Sequence, residues 1–255
     1  KKNLPIAYFY VGRTAAAAAQ KAATPEAKDA KYAEAIKVLN TAIEKATAYK
    51  NTAVKNNAGR MLGMVYQSQG GEYFNGGNYE KAAEIFAKGY EADKFNTGMA
   101  LNLAESFFRS NQYQEGMAIA ADIAALNPEK FGEAVAEAQS KMDMYTNNEV
   151  AKLQMANDYD GIIAMAAELD DAAMAAKITM QAYYGKKDFA KMVEVSAAAL
   201  EAQTTDEGRS DIYYLLGVAY NEMGQFEQAI AAMKNVTAGN NVANAQSVIA
   251  ALTAK

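Results

Sequence analysis

The sequence predicts an all-α protein whose helices pair into successive hairpins, and three observations carry that expectation. Only 3 of 255 residues are proline and 17 are glycine, while alanine abounds, so strong helix formers dominate and breakers are rare. Apolar residues recur at the spacing of a helix face along most of the chain. Finally, one pattern of small and large residues recurs on either side of a turn. In Ser210–Val236, SDIYYLLGVAYNEMGQFEQAIAAMKNV, Leu216-Gly217 and Tyr220 precede Gly224-Gln225-Phe226, and Ala229, Met233 and Val236 follow. Gly217 and Ala229 are small where two helices must approach closely, and the aromatics are large where the gap must be filled.

This arrangement resembles the tetratricopeptide repeat, a helix–turn–helix unit of about 34 residues with this Leu-Gly, Tyr and Ala spacing. The resemblance implies an α/α superhelix: a solenoid of about six hairpins plus a C-terminal capping helix, read as one domain over 1–255. The hairpins fall at about 5–48, 51–93, 97–126, 128–169, 171–202 and 208–238, with the cap at 241–254.

Each element has a local reason. Asn3-Leu4-Pro5 opens a helix with proline near the first turn, where its missing N–H costs nothing. Thr24-Pro25-Glu26 restarts one, with Thr24 as N-cap, and Tyr32, Ala35, Ile36, Leu39 and Ile43 share a face. In the second unit Leu62-Gly63 and Tyr66 repeat the Leu-Gly/Tyr spacing, which makes Gly71–Gly77 an insertion before Asn78-Tyr79. Seven residues are two helical turns and could lengthen a helix, whereas the glycines argue for a protruding loop. Leu101, Leu103, Ala104 and Phe107 line the first helix of the third unit, and Asn127-Pro128-Glu129 opens the next. The stretch 129–156 reads either as one long helix or as two, because Thr146-Asn147-Asn148-Glu149 looks like a capping box. Val242, Val248, Ile249 and Leu252 mark the terminal helix that covers the last exposed face.

Composition excludes several chemistries. The chain has no cysteine and no histidine, so disulfides, thiol nucleophiles, Ser-His-Asp triads and the usual zinc sites are ruled out. No apolar run reaches the roughly 18 residues of a membrane span. Residues 1–60 carry 11 Lys/Arg against 4 Asp/Glu, and the remainder 14 against 26. These lysines lack aromatic interleaving, so solvated helix faces are expected and nucleic acid is not. The start at Lys1 leads to the expectation of an extracytoplasmic protein, periplasmic or secreted, with a cytoplasmic one as the alternative.

In the family that the chain resembles, the first helix of each hairpin lines a concave groove that holds a protein or peptide. Carried over, the groove-facing residues are Arg60, Met64 and Gln67; Leu101, Glu105, Phe108 and Arg109; Lys177, Gln181 and Tyr184; and Tyr214, Val218 and Asn221. A carboxylate clamp is rejected, since Met64 and Met144 stand where Asn and Lys are required and only Asn102 matches. Asn157–Gly161 lacks the flanking acids of a calcium loop, Ala156 and Ala167 standing there instead. Tyr66, Tyr79, Tyr113, Tyr159, Tyr183 and Tyr220 sit at packing positions of the repeat, whereas Tyr10, Tyr73, Tyr145, Tyr184 and Tyr214 are not demanded by it. Met142, Met144, Met155 and Met165 suit core filling, with an adaptable binding surface as the alternative. The expected function is a non-catalytic scaffold for a protein or peptide, with no cofactor and no metal. The alternatives are a small-molecule or glycan-binding accessory protein of a bacterial envelope system, with a pocket built by the 71–77 stretch, and self-association into a homo-oligomer.

Overall fold

The computed structural model describes residues 3–254, and these form thirteen α-helices and no strand. They are α1 Leu4–Lys21, α2 Pro25–Ala48, α3 Thr52–Asn75, α4 Tyr79–Ala92, α5 Thr97–Arg109, α6 Tyr113–Ala124 and α7 Pro128–Met155. There follow α8 Tyr159–Ala167, α9 Ala172–Gly185, α10 Phe189–Ala202, α11 Asp206–Glu222, α12 Phe226–Met233 and α13 Val242–Thr253. The chain divides into two compact units, Lys1–Tyr145 and Thr146–Lys255. Each has its own buried cluster. Tyr32, Leu39, Phe86, Met99, Leu103 and Ile123 centre the first, and Met180, Met192 and Ile212 centre one in the second.

One turn recurs between paired helices. Gly77, Asn111, Asn157, Lys187 and Gly224 all have positive φ, at 78°, 61°, 56°, 57° and 73°. The next residue (Asn78, Gln112, Asp158, Asp188 or Gln225) donates its N–H to the carbonyl of Tyr73, Phe107, Leu153, Tyr183 or Tyr220 at 2.8–2.9 Å. A left-handed residue closed by this long backward bond is the Schellman ending of a helix. That same next residue then serves as N-cap of the following helix, and the side chains of Asn78, Asp158 and Asp188 accept from its first turn. One pair of residues thus ends one helix and starts the next.

The turn fixes the register of the second hairpin and corrects its reading. A methyl on Gly217, nine residues before Phe226, would meet Met233, seven residues after it; a methyl on Gly70 would meet Phe86, at the same offsets from Tyr79. Gly70, rather than Gly63, is therefore the packing glycine, and Tyr73 occupies the position of Tyr220. Residues 71–75 continue α3, and Gly76-Gly77 is the ordinary turn. There is no protruding loop. With 24 residues against the 17 of α11, α3 carries its extra two turns at its N-terminal end.

Pro128–Met155 runs without a break at Thr146 and is kinked near its start. Phe131 leaves helical geometry at φ −124° and ψ 24°, whereas Thr146, expected to cap a break, is buried within the helix. At Thr24 the expected cap is present, its side chain accepting from the Ala27 N–H at 3.2 Å.

Candidate functional site

In the first unit a cleft of about 1090 Å³ runs between α3 and α5. Lys55, Gly59, Arg60, Gly63, Met64 and Gln67 line one side, and Gly98, Leu101 and Asn102 line the other, with Asp93 and Glu137 at its margins. A smaller cleft of about 190 Å³ between α1 and α3 carries Arg13, Ala16, Ala17 and Gln20. Met64 and Ser68 line both, so the two are continuous across α3. Met64 stands at the centre with 63% of its surface exposed.

The floor is bare for no packing reason. A methyl at Gly59 or Gly63 would meet nothing within 4 Å, although each glycine sits inside a helix. Helical glycine costs about 1 kcal/mol relative to alanine. Close packing explains Gly70 but not these two. Residues one turn apart share a face, so α3 presents open backbone to the cleft.

Four of the expected groove residues, Arg60, Met64, Gln67 and Leu101, meet in this cleft. Arg60 is exposed and donates to Asn57 within its own helix. Leu101 belongs to the core and reaches the cleft only with its edge. Phe108 is a correction, because it is buried beneath a stacked Tyr145 with ring centres 3.9 Å apart and offers no groove surface.

Glu105 and Arg109 are bound to their own chain. The Glu105 carboxylate accepts from Arg109 Nε at 2.8 Å, Lys141 Nζ at 2.9 Å and the Tyr145 hydroxyl at 2.8 Å. Burial pushes its pKa up, but these three donors outweigh burial and hold it below the ordinary carboxylate range. Burial first, and then the bond to Glu105, pushes Tyr145 up to about 12. The Arg109 guanidinium lies 5.7 Å from the ring centres of both Phe74 and Tyr79. Tyr145, outside the repeat pattern, thus ties α7 to α5 as a structural residue.

In the second unit the expected residues divide again. Lys177 pairs with Asp211, which also accepts from Asn241 Nδ2 at 2.9 Å. Gln181 is half-buried and Tyr184 is 47% exposed. Tyr214 and Val218 pack in the same apolar cluster as Val242, Val248 and Ile249 of α13. The terminal helix therefore covers part of the face they were expected to offer, and Asn221 is half-buried nearby on α11. Of the methionines, Met142 packs beside Phe108 and Met165 is buried, whereas Met144 and Met155 are exposed.

Sequence reasoning missed Lys55, Gly59, Gly63 and Asn102 as cleft-lining residues.

Residues 210–238 match the family described as tetratricopeptide repeat. This stretch is a tetratricopeptide repeat. Over 180 residues the chain is 24% identical to RNA polymerase II-associated protein 3 of Rattus norvegicus, covering 66% of this chain and 26% of that protein. The protein of the same name from Xenopus tropicalis is 34% identical over 50 residues, 20% of this chain and 8% of the relative. The chain thus spans about a quarter or less of the length of these curated relatives. Among solved structures, it is similar to the P58(IPK) TPR domain at a TM-score of 0.38 and 6% identity, covering 92% of this chain and 70% of that one. It is also similar to the TPR2AB domain of yeast Sti1 in its pHSP90 complex, at a TM-score of 0.37 and 10% identity, covering 99% and 100%. Among the described residues no helix is long and apolar enough to cross a membrane.

Proposed function

We propose that the chain is a non-catalytic scaffold that holds a segment of a partner protein in the cleft between α3 and α5. The observation that carries this reading is the exposed Met64 above a helix surface kept bare by Gly59 and Gly63. An exposed methionine adapts to varied apolar side chains, and bare glycine lets a second backbone approach. Lys55 and Arg60 stand along the α3 side and Asp93 and Glu137 at the margin, which gives a bound segment direction as well as grip. The relatives' name ties them to RNA polymerase II, which favours an intracellular setting over the extracytoplasmic one.

The test is affinity capture from extracts of the native host, with the unaltered chain beside Met64→Glu and Gly63→Leu. Both substitutions face open space and leave the core untouched, so circular dichroism should not change. A partner retained by the unaltered chain and lost, by about tenfold or more in affinity, from both variants is the expected result. Equal recovery with all three proteins would refute the placement.

A further inference from the structure

A separate cavity of about 410 Å³ lies in the first unit, where the turn joining α1 to α2 meets the last turns of α3. It shares no lining residue with the 1090 Å³ cleft, and only the buried Tyr32 with the 190 Å³ one. Its walls carry the phenols of Tyr32 and Tyr73, the carboxylates of Asp29 and Glu72, the Lys28 ammonium and the Gln69 amide. Glu72 has its own cation, Lys28 Nζ at 3.0 Å, and also accepts from the Tyr32 hydroxyl at 2.9 Å. Asp29 does not. Its oxygens accept from Gln69 Nε2 at 3.1 Å and from the Tyr73 hydroxyl, and both donors are neutral.

The chemistry of the walls is one-sided. Both phenolic protons are committed to carboxylates, so the half-buried Tyr73 hydroxyl turns its acceptor lone pairs to anything else that enters, whereas Tyr32 is buried. Asp29 and Glu72 against Lys28 leave one uncompensated negative charge. A half-buried carboxylate without a cation is short of its best partner, because charge-assisted hydrogen bonds are about twice as strong as neutral ones. The half-buried Tyr73 ring in the same walls adds a surface that attracts cations.

We propose that this cavity binds a small organic monocation, a primary ammonium or a guanidinium group, with Asp29 as its counter-ion and the Tyr73 oxygen as a further acceptor. The group belongs either to a free amine or to a lysine or arginine side chain of a partner. The assignment is independent of the cleft and stands whether or not a protein segment binds there.

Calorimetric titration of the intact chain tests it, with n-butylammonium and agmatine as free cations and acetyl-Gly-Lys-Gly-amide and acetyl-Gly-Arg-Gly-amide as side-chain mimics. n-Butanol and glucose are the neutral controls. The cations are expected to bind and the neutral compounds are not, and Asp29→Asn should weaken binding about tenfold or more. Tighter binding of the basic peptides would identify a partner's side chain as the source, and tighter binding of the free amines a small molecule; either supports the assignment. Should Asp29→Asn fail to fold, the ring resonances of Tyr32 and Tyr73 in the unaltered protein report the same event. No response to any cation at about 10 mM, equal binding of n-butanol or glucose, or unchanged affinity in a folded Asp29→Asn would overturn it.

Discussion

Gly59, Gly63 and Gly70 lie on one helix, yet a methyl group added to each meets a different environment. At Gly70 it would stand 2.6 Å from the Phe86 ring, and at the other two it meets nothing within 4 Å. Gly70→Ala should therefore destabilise the protein by about 1–3 kcal/mol through overpacking. Gly59→Ala and Gly63→Ala should each stabilise it by about 0.5–1 kcal/mol through helix propensity. Urea denaturation separates these cases, and destabilisation by both outer substitutions would remove the argument that the cleft floor is bare by function. Glu105 gives a second test at this scale. Its folded pKa lies below the ordinary value, so its contribution is present above the unfolded pKa and is lost as pH falls through the folded one. The urea midpoint should fall on acidification below about pH 4, and Glu105→Gln should flatten that fall. A pH profile identical in the variant would show that the carboxylate contributes nothing to the pH dependence.

The recurrent turn explains both what the sequence disclosed about the elements and what it concealed. Capping residues such as Thr24, and proline at the first turn, announce helix starts in plain chemical terms. The all-α character follows from composition and spacing. The second hairpin was harder, because Leu62-Gly63 and Gly70 lie one heptad apart on one face, and seven residues hardly rotate that face. Only contact with Phe86 distinguishes the packing glycine from the open one. Long-range partners concealed other residues. Phe108 reads as a groove aromatic until Tyr145 from α7 is laid over it, and Tyr214 reads as exposed until α13 arrives. Thr146 has the sequence of a cap, but burial places it inside a helix. The turn itself makes a prediction. Lys187 holds a left-handed φ of 57° that suits glycine, so Lys187→Gly should raise stability by about 1 kcal/mol. Asp188→Ala removes a cap that Lys191 N–H uses at 3.1 Å and should lower stability by about 1 kcal/mol. Thermal denaturation of the two variants should show shifts of opposite sign, and a loss in both would contradict the assignment of strain to Lys187.

Across the whole molecule, one hairpin pattern is reused with different surfaces. In the first unit the packing contacts leave Met64 and the glycines of α3 open, while charged groups such as Glu105 and Arg109 are consumed by neighbours. In the second unit the terminal helix covers Tyr214 and Val218. The proposed recognition surface is what the fold does not use, which is a better guide than residue type. The most direct test places a photo-crosslinking amino acid at Met64, and in a separate protein at the exposed Lys88 on α4. After irradiation in host extract, a discrete crosslinked partner from position 64 and none from position 88 is the result expected. Crosslinks from position 88 alone, or the same products from both positions, would contradict the assignment of the cleft as the recognition surface.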